Sequence, residues 1–220
     1  MDEAEYNPVD FLPPQRREPA KLYLISPQDI SGGFADRLEA ALDPGIAAAF
    51  QLRVKNVDEH ELARLAGPLQ RICADAGVAF IVNDSISLAR RLGADGVHLG
   101  QSDGAIADAR AALGPSAQIG RTCHDSRHLA MEAGEAGADY VAFGAFYPTT
   151  TKPSDYRPSP SILSWWSTLF EIPCVAIGGI TADNAKPLVE AGADFLAVSQ
   201  AIWGAKDPAD AVRAFAEILG

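Results

Sequence analysis

Gln51, Arg53 and Lys55 stand at i, i+2 and i+4 in the apolar run AAFQLRVK. In an extended strand successive side chains point to opposite faces, so these three share one. A guanidinium and an ammonium held together there require anionic partners or an open, solvated mouth. Two acidic positions follow at the ends of later runs: Asn83-Asp84 closes VAFIVND, and Gln101-Ser102-Asp103 follows DGVHLG. Mg²⁺ commonly takes one or two protein carboxylates and leaves its other positions to water and substrate phosphate oxygens. Asp84 and Asp103 are therefore candidate ligands. Each also precedes a helical stretch, 86–92 and 104–113, where a capping Asp is common. The neighbouring cationic run favours the metal.

A third group of residues suits phosphate. Tyr147-Pro148-Thr149-Thr150-Thr151-Lys152 is a hydroxyl-rich stretch ending in an ammonium, with hydroxyls as donors and lysine as a point charge. Gly178-Gly179-Ile180-Thr181 and Ser199-Gln200 follow two further apolar runs. Glycine pairs let backbone N–H groups approach an anion closely, because no Cβ intervenes. His98 and His124 lie within such runs; the spacing reads His98 as a hydrogen-bonded structural residue and leaves His124, near a run's end, open between structure and catalysis.

Eight short apolar runs must position these side chains: 21–27, 48–55, 78–84, 95–101, 117–124, 139–148, 174–180 and 194–202. Near-continuous apolar runs, as opposed to strict alternation, mark strands covered on both faces, as in parallel sheets. Helical spacing separates them, as with Leu62, Leu65, Leu69 and Ile72 in 57–75. Gly93-Ala94-Asp95, Gly137-Ala138-Asp139 and Gly192-Ala193-Asp194 each precede a strand, as expected if a left-handed glycine ends each helix. Eight βα units in 220 residues predict a single-domain (β/α)₈ TIM barrel over 21–220, with a doubly wound open sheet as its rival. Residues 1–20, with Pro8, Pro13, Pro14 and Pro19, read as a flexible or covering segment. In a barrel the polar residues above fall at the C-terminal strand ends, where active sites lie.

A formal net charge of −11 disfavours nucleic acid and anionic membranes as partners, while leaving room for a local cationic pocket. No stretch approaches the roughly 18 apolar residues of a span, and no signal peptide is apparent. The widely spaced Cys73, Cys123 and Cys174 suggest neither a disulfide framework nor a zinc site. A cytoplasmic enzyme is the expectation, and a homodimer is compatible with it.

The set QLRVK, VND, HLGQSD, PTTTK and AIGGIT resembles the thiamine phosphate synthase family in order and approximate spacing, over roughly 21–219. The resemblance implies a transferase that couples hydroxymethylpyrimidine diphosphate to a thiazole phosphate, releasing pyrophosphate with Mg²⁺ as cofactor. By resemblance, Gln51, Arg53, Lys55, Asn83 and Lys152 hold the pyrimidine diphosphate, with Leu52 and Val54 in the same run. Asp84 and Asp103 bind the metal. Thr149, Thr150, Thr151, Gly179, Ser199 and Gln200 hold the thiazole phosphate. Tyr23, His98 and Thr122 lie at the pyrimidine, and Arg53, Lys55, Thr122 and Lys152 are the catalytic set.

Three positions depart from the family pattern. Arg121 stands where a small aliphatic residue is usual, and Gly120-Arg121-Thr122-Cys123-His124 resembles the related thiazole tautomerase, whose matching histidine moves protons. Gln200 replaces a small residue, and Phe195 stands where glycine is common. The competing expectations are a tautomerase using His124 and a non-catalytic barrel that binds phosphate ligands.

Overall fold

The computed structural model describes residues 18–149 and 155–219. Its eight strands are β1 (Lys21–Ile25), β2 (Ala47–Leu52), β3 (Ala79–Asn83), β4 (Gly96–Leu99), β5 (Gln118–His124), β6 (Tyr140–Gly144), β7 (Cys174–Ile177) and β8 (Phe195–Val198). They close in chain order into one parallel barrel, with β8 hydrogen-bonded back to β1. The connecting helices are α1 (Phe34–Leu42), α2 (Glu59–Asp75), α3 (Ile86–Leu92), α4 (Ile106–Leu113), α5 (Arg127–Glu135), α6 (Ser161–Leu169) and α7 (Ala182–Glu190). A short α8 (Gln200–Trp203) and then α9 (Pro208–Leu219) follow β8. The single-domain TIM barrel expected from the apolar runs is the fold observed, and the open-sheet alternative falls because β1 and β8 pair.

Strand alternation divides the core in two. Leu22, Leu24, Phe50 and Leu52 face outward and pack with the helices, whereas Tyr23, Ile25, Ala49, Ile81, Tyr140, Ala142, Val175 and Ala197 fill the barrel interior. The second set includes two tyrosines, so the interior is apolar with a polar seam.

The repeated Gly-Ala-Asp has two jobs. Gly93, Gly137 and Gly192 take positive φ (60°, 88° and 100°), which allows the chain to leave each helix at little steric cost. Each aspartate then reaches back to the first turn of the barrel floor. The carboxylate of Asp95 accepts from the N–H of Phe80 (2.7 Å), that of Asp139 from Ile119 (2.7 Å), and that of Asp194 from Cys174 (2.8 Å). The acceptors satisfy strand-start N–H groups that lie beyond the ladder.

Two boundaries differ from those expected. β2 ends at Leu52, so Arg53 and Lys55 lie in the following loop instead of on the strand. Side chains of the β1–α1 loop take over from the ladder there: Ser26 Oγ accepts from the Arg53 N–H (2.9 Å) and Gln28 Oε1 from the Lys55 N–H (3.2 Å). β8 likewise ends at Val198, leaving Ser199 as the N-cap residue of α8 and Gln200 as its first residue. The three cysteines are free and buried. Among the described residues no helix is long and apolar enough to cross a membrane. The expectation for the N-terminal segment falls, apart from residues 18–20, outside the described residues.

Candidate active site

The C-terminal strand ends open into a cavity of about 510 Å³. Its wall brings together Gln51, Arg53, Lys55, Asn83, Asp84, His98, Thr122, Thr149, Gly179, Ser199 and Gln200, contributed by or after seven of the eight strands. Thr150, Thr151 and Lys152 lie outside the described residues. Leu52 and Val54 are not brought to the wall: alternation turns them toward the helices, Leu52 fully buried and Val54 packed against the same layer. Tyr23 is also buried below the wall.

The helix-capping alternative for the two aspartates is removed by the geometry. The cap of α3 is Ser85, whose hydroxyl accepts from the Leu88 N–H (3.1 Å), and the N-cap position of α4 is Ala105, two residues beyond Asp103. Asp84 takes a left-handed φ of 66°, an uncommon conformation that Asp tolerates better than most residues. Asp103 is fixed by the Gly100 N–H, which donates to its Oδ2 (2.8 Å). Burial raises the Asp84 carboxyl from its ordinary value, and the hydrogen-bonding, like-charged Asp103 carboxyl raises it further. Lys55 and Arg53 oppose that rise; the Lys55 Nζ lies 3.6 Å from Asp84 Oδ2. Two adjoining carboxylates whose mutual repulsion is only partly relieved fit a hard divalent cation, which prefers oxygen ligands.

Beneath the cavity lies a polar line. Gln51 Nε2 donates to the Tyr23 hydroxyl (2.9 Å), which is 2.8 Å from the Tyr140 hydroxyl. Tyr140 in turn lies 3.2 Å from His98 Nδ1, and His98 Nε2 is 2.8 Å from Thr122 Oγ1. His98 is thus hydrogen-bonded at both ring nitrogens while also reaching the wall. Burial pushes the Tyr23 hydroxyl up to about 12 and Tyr140 well above the ordinary tyrosine value. Tyr140 escaped the sequence reading because it opens an apolar run. The signal available was Gly120, since glycine inside a strand often marks a close approach. A Cβ at Gly120 would sit 2.0 Å from the Tyr140 ring.

The Gly178-Gly179 pair has a reason beyond anion approach. Both take positive φ, and a Cβ on Gly179 would meet the Pro148 carbonyl oxygen at 2.3 Å. The β7–α7 turn therefore packs directly against the β6 loop. Thr181 and Asn184 then start α7 with a capping box.

His124, at the end of β5 with φ 56°, lines the cavity and stacks on Tyr156 with ring centroids 4.1 Å apart. Tyr156 and Asp155 were not anticipated, for they belong to no periodic element. Arg121 points away from the cavity. Its guanidinium donates to the carbonyls of Gly104 (2.8 Å) and Gln101 (3.3 Å), clamping the loop that carries Asp103.

Residues 22–202 match the family model described as thiamine monophosphate synthase. The chain is 65% identical over 203 residues to the thiamine-phosphate synthase of Erythrobacter litoralis, covering 90% of this chain and 95% of that protein. It is 50% identical to the thiamine-phosphate synthase of Rhodospirillum centenum, covering 90% and 97% respectively. Its structure superposes on the thiamine phosphate pyrophosphorylase of Pyrococcus furiosus with a TM-score of 0.80 at 32% identity, covering 90% of this chain and 95% of that one. A closed barrel with this wall and these relatives has one family placement: the chain belongs to the thiamine monophosphate synthase family, a family of transferases.

Proposed function

We propose that this enzyme joins a hydroxymethylpyrimidine diphosphate to a thiazole phosphate by a dissociative substitution that releases pyrophosphate, with Mg²⁺ held by Asp84 and Asp103. The observation that carries the reading is the grouping of Lys55 and Asp84 on the same cavity as Gln51 and Thr122, with the Asp103 carboxyl hydrogen-bonded to Asp84. Two small phosphorylated substrates are compatible with a space of about 510 Å³.

The pyrimidine ring is assigned to the polar wall of Gln51, His98 and Thr122, and the diphosphate to Arg53, Lys55 and Asn83. As the carbon–oxygen bond breaks, negative charge builds on the departing pyrophosphate and the Arg53 guanidinium and Lys55 ammonium stabilise it. Bound Mg²⁺ supplies Lewis-acid stabilisation of the same leaving group. Gly179, Thr149 and the backbone at Ser199 and Gln200 hold the thiazole phosphate, so that the thiazole nitrogen attacks the pyrimidine-methyl carbon. Orientation of the two fragments supplies much of the rate, and no covalent enzyme intermediate is needed. Lys152, Thr150 and Thr151 complete the set by family resemblance. Catalysis by a soluble cytoplasmic protein is part of the proposal.

Purified protein incubated with both substrates and Mg²⁺ should form thiamine phosphate, detected by mass spectrometry, with stoichiometric pyrophosphate. Conversion of a thiazole tautomer alone, lost in His124→Ala, would instead favour the tautomerase reading.

A further inference from the structure

Gln51, Tyr23, Tyr140, His98 and Thr122 come from five different strands, yet they form one unbroken line of four hydrogen bonds. Its two ends, Gln51 and Thr122, stand on the cavity wall, whereas Tyr23 and Tyr140 in the middle do not reach it. We propose that the line is a polarity relay that fixes which end of the wall accepts and which donates, with Tyr140 as the positioning residue at its centre. The relay selects an aminopyrimidine over its oxo analogue. This specificity rests on the reading that the pyrimidine seats against Gln51 and Thr122.

The argument is a count of hydrogens. A neutral hydroxyl carries one, and a neutral imidazole carries one N–H. Gln51 Nε2 donates to Tyr23, so the Tyr23 hydrogen passes to Tyr140. The Tyr140 hydrogen passes to His98 Nδ1, which leaves the imidazole N–H on Nε2, facing Thr122 Oγ1. Thr122 then has its own hydrogen available for the cavity, and Gln51 has its carbonyl. Reversing every link at once is the alternative that fills all four and leaves no tyrosine hydrogen unpaired. A mixed setting in which one tyrosine hydroxyl accepts from both neighbours leaves that hydroxyl's own hydrogen buried without an acceptor. The other mixed settings place two hydrogens or two lone pairs in one link. Each is costly at buried positions. Burial keeps both tyrosines protonated near neutral pH.

In the first of these settings, the wall presents an acceptor at Gln51 and a donor at Thr122. A 4-aminopyrimidine offers the complement, an amino donor beside a ring-nitrogen acceptor, and a 4-oxopyrimidine offers the opposite pair. Removal of the Tyr140 hydroxyl leaves the Tyr23 hydrogen without an acceptor. Rotation of that hydrogen toward Gln51 Oε1 turns the amide over, and Gln51 then presents donors to the cavity.

The test measures calorimetric affinities of Tyr140→Phe for amino- and oxopyrimidine diphosphates and for the thiazole phosphate. Amino affinity should fall about tenfold, with oxo affinity unchanged or improved and thiazole phosphate affinity within about twofold. Equal weakening of both pyrimidines would overturn the relay, because loss of packing alone does that. Independently of any variant, nitrogen NMR of the ligand-free protein should show His98 as the Nε2–H tautomer; a dominant Nδ1–H tautomer would overturn the direction assigned. If Tyr140→Phe fails to fold, this second measurement decides. A wild-type protein with the Nε2–H tautomer that binds neither pyrimidine would sink the functional reading and leave the hydrogen-bond direction standing.

Discussion

Lys55 Nζ stands 3.6 Å from Asp84 Oδ2, and the Asp103 carboxyl hydrogen-bonds the same aspartate. Lys55 and Arg53 offset the paired carboxylates only in part, and the Asp84 carboxyl stays raised. Asp84→Asn and Asp103→Asn should each lower kcat by about 10²–10³-fold, the scale of losing one transition-state contact in a dry site. A pyrophosphate-release assay at saturating substrates checks this. Wild-type turnover in either variant would remove the metal assignment.

Arg121 holds two carbonyls of the loop bearing Asp103. Arg121→Met should raise the Mg²⁺ concentration giving half-maximal turnover by about three- to tenfold, with a smaller change in kcat. Arg121→Lys should recover only part of the loss, since a single ammonium lacks the planar fork that spans both acceptors. A metal titration unchanged in both variants would show the clamp to be idle.

Gly120 leaves room for Tyr140, and an added methyl would sit 2.0 Å from the ring. Gly120→Ala should destabilise the fold by about 1–3 kcal/mol through overpacking. Urea denaturation monitored by tryptophan fluorescence measures it, and a midpoint equal to wild type would contradict the packing.

Tyr23 offers a pH test with a defined sign. Burial lifts its hydroxyl from 10.0 to about 12, so the folded state holds a proton that the unfolded chain releases above pH 10. This contribution to stability is complete below pH 10 and is lost as pH rises toward 12, at about 1.4 kcal/mol per pH unit. Buried Cys73 and Cys123, also raised to about 12, add slopes of the same sign from about pH 9. Tyr23→Phe should flatten the slope between pH 10 and 11 by about one proton. Denaturant midpoints at several alkaline pH values measure it, and an unaltered slope would count against a buried, neutral Tyr23.

Asp139 separates stability from chemistry. It accepts from the Ile119 N–H and from Arg110 at 2.6 Å, at the end of the barrel remote from the cavity. Asp139→Ala should cost about 1–3 kcal/mol of stability while leaving kcat/KM within about twofold. Loss of activity in a fully folded variant would contradict that division.

The fold was legible because each strand, covered on both faces, writes itself as a short apolar run, and Gly-Ala-Asp punctuates three of them. Strand ends were less legible. Arg53 and Lys55 continue the alternation of β2 in sequence, but their N–H groups bind Ser26 and Gln28, which no local pattern reveals. Asp84 and Asp103 were visible as acidic residues at run ends, although capping and metal binding share that signature until Ser85 and Ala105 are seen at the helix starts. Tyr140 was hidden, since an aromatic residue opening an apolar strand looks like core until its hydroxyl partner is located across the barrel. Tyr156 was hidden for another reason: its stack on His124 depends on where a long loop returns.

The aspartate latches at the barrel floor each join the start of one strand to the start of the next, as Asp95 does for Phe80. Each latch closes within a single βαβ module, although Asp139 also binds Arg110 of the preceding helix α4. Modules carrying it can be duplicated, exchanged or rejoined in a new order without unfastening their own bases. The opposite rim is then free to diversify, one loop at a time, on foundations that do not have to be rebuilt.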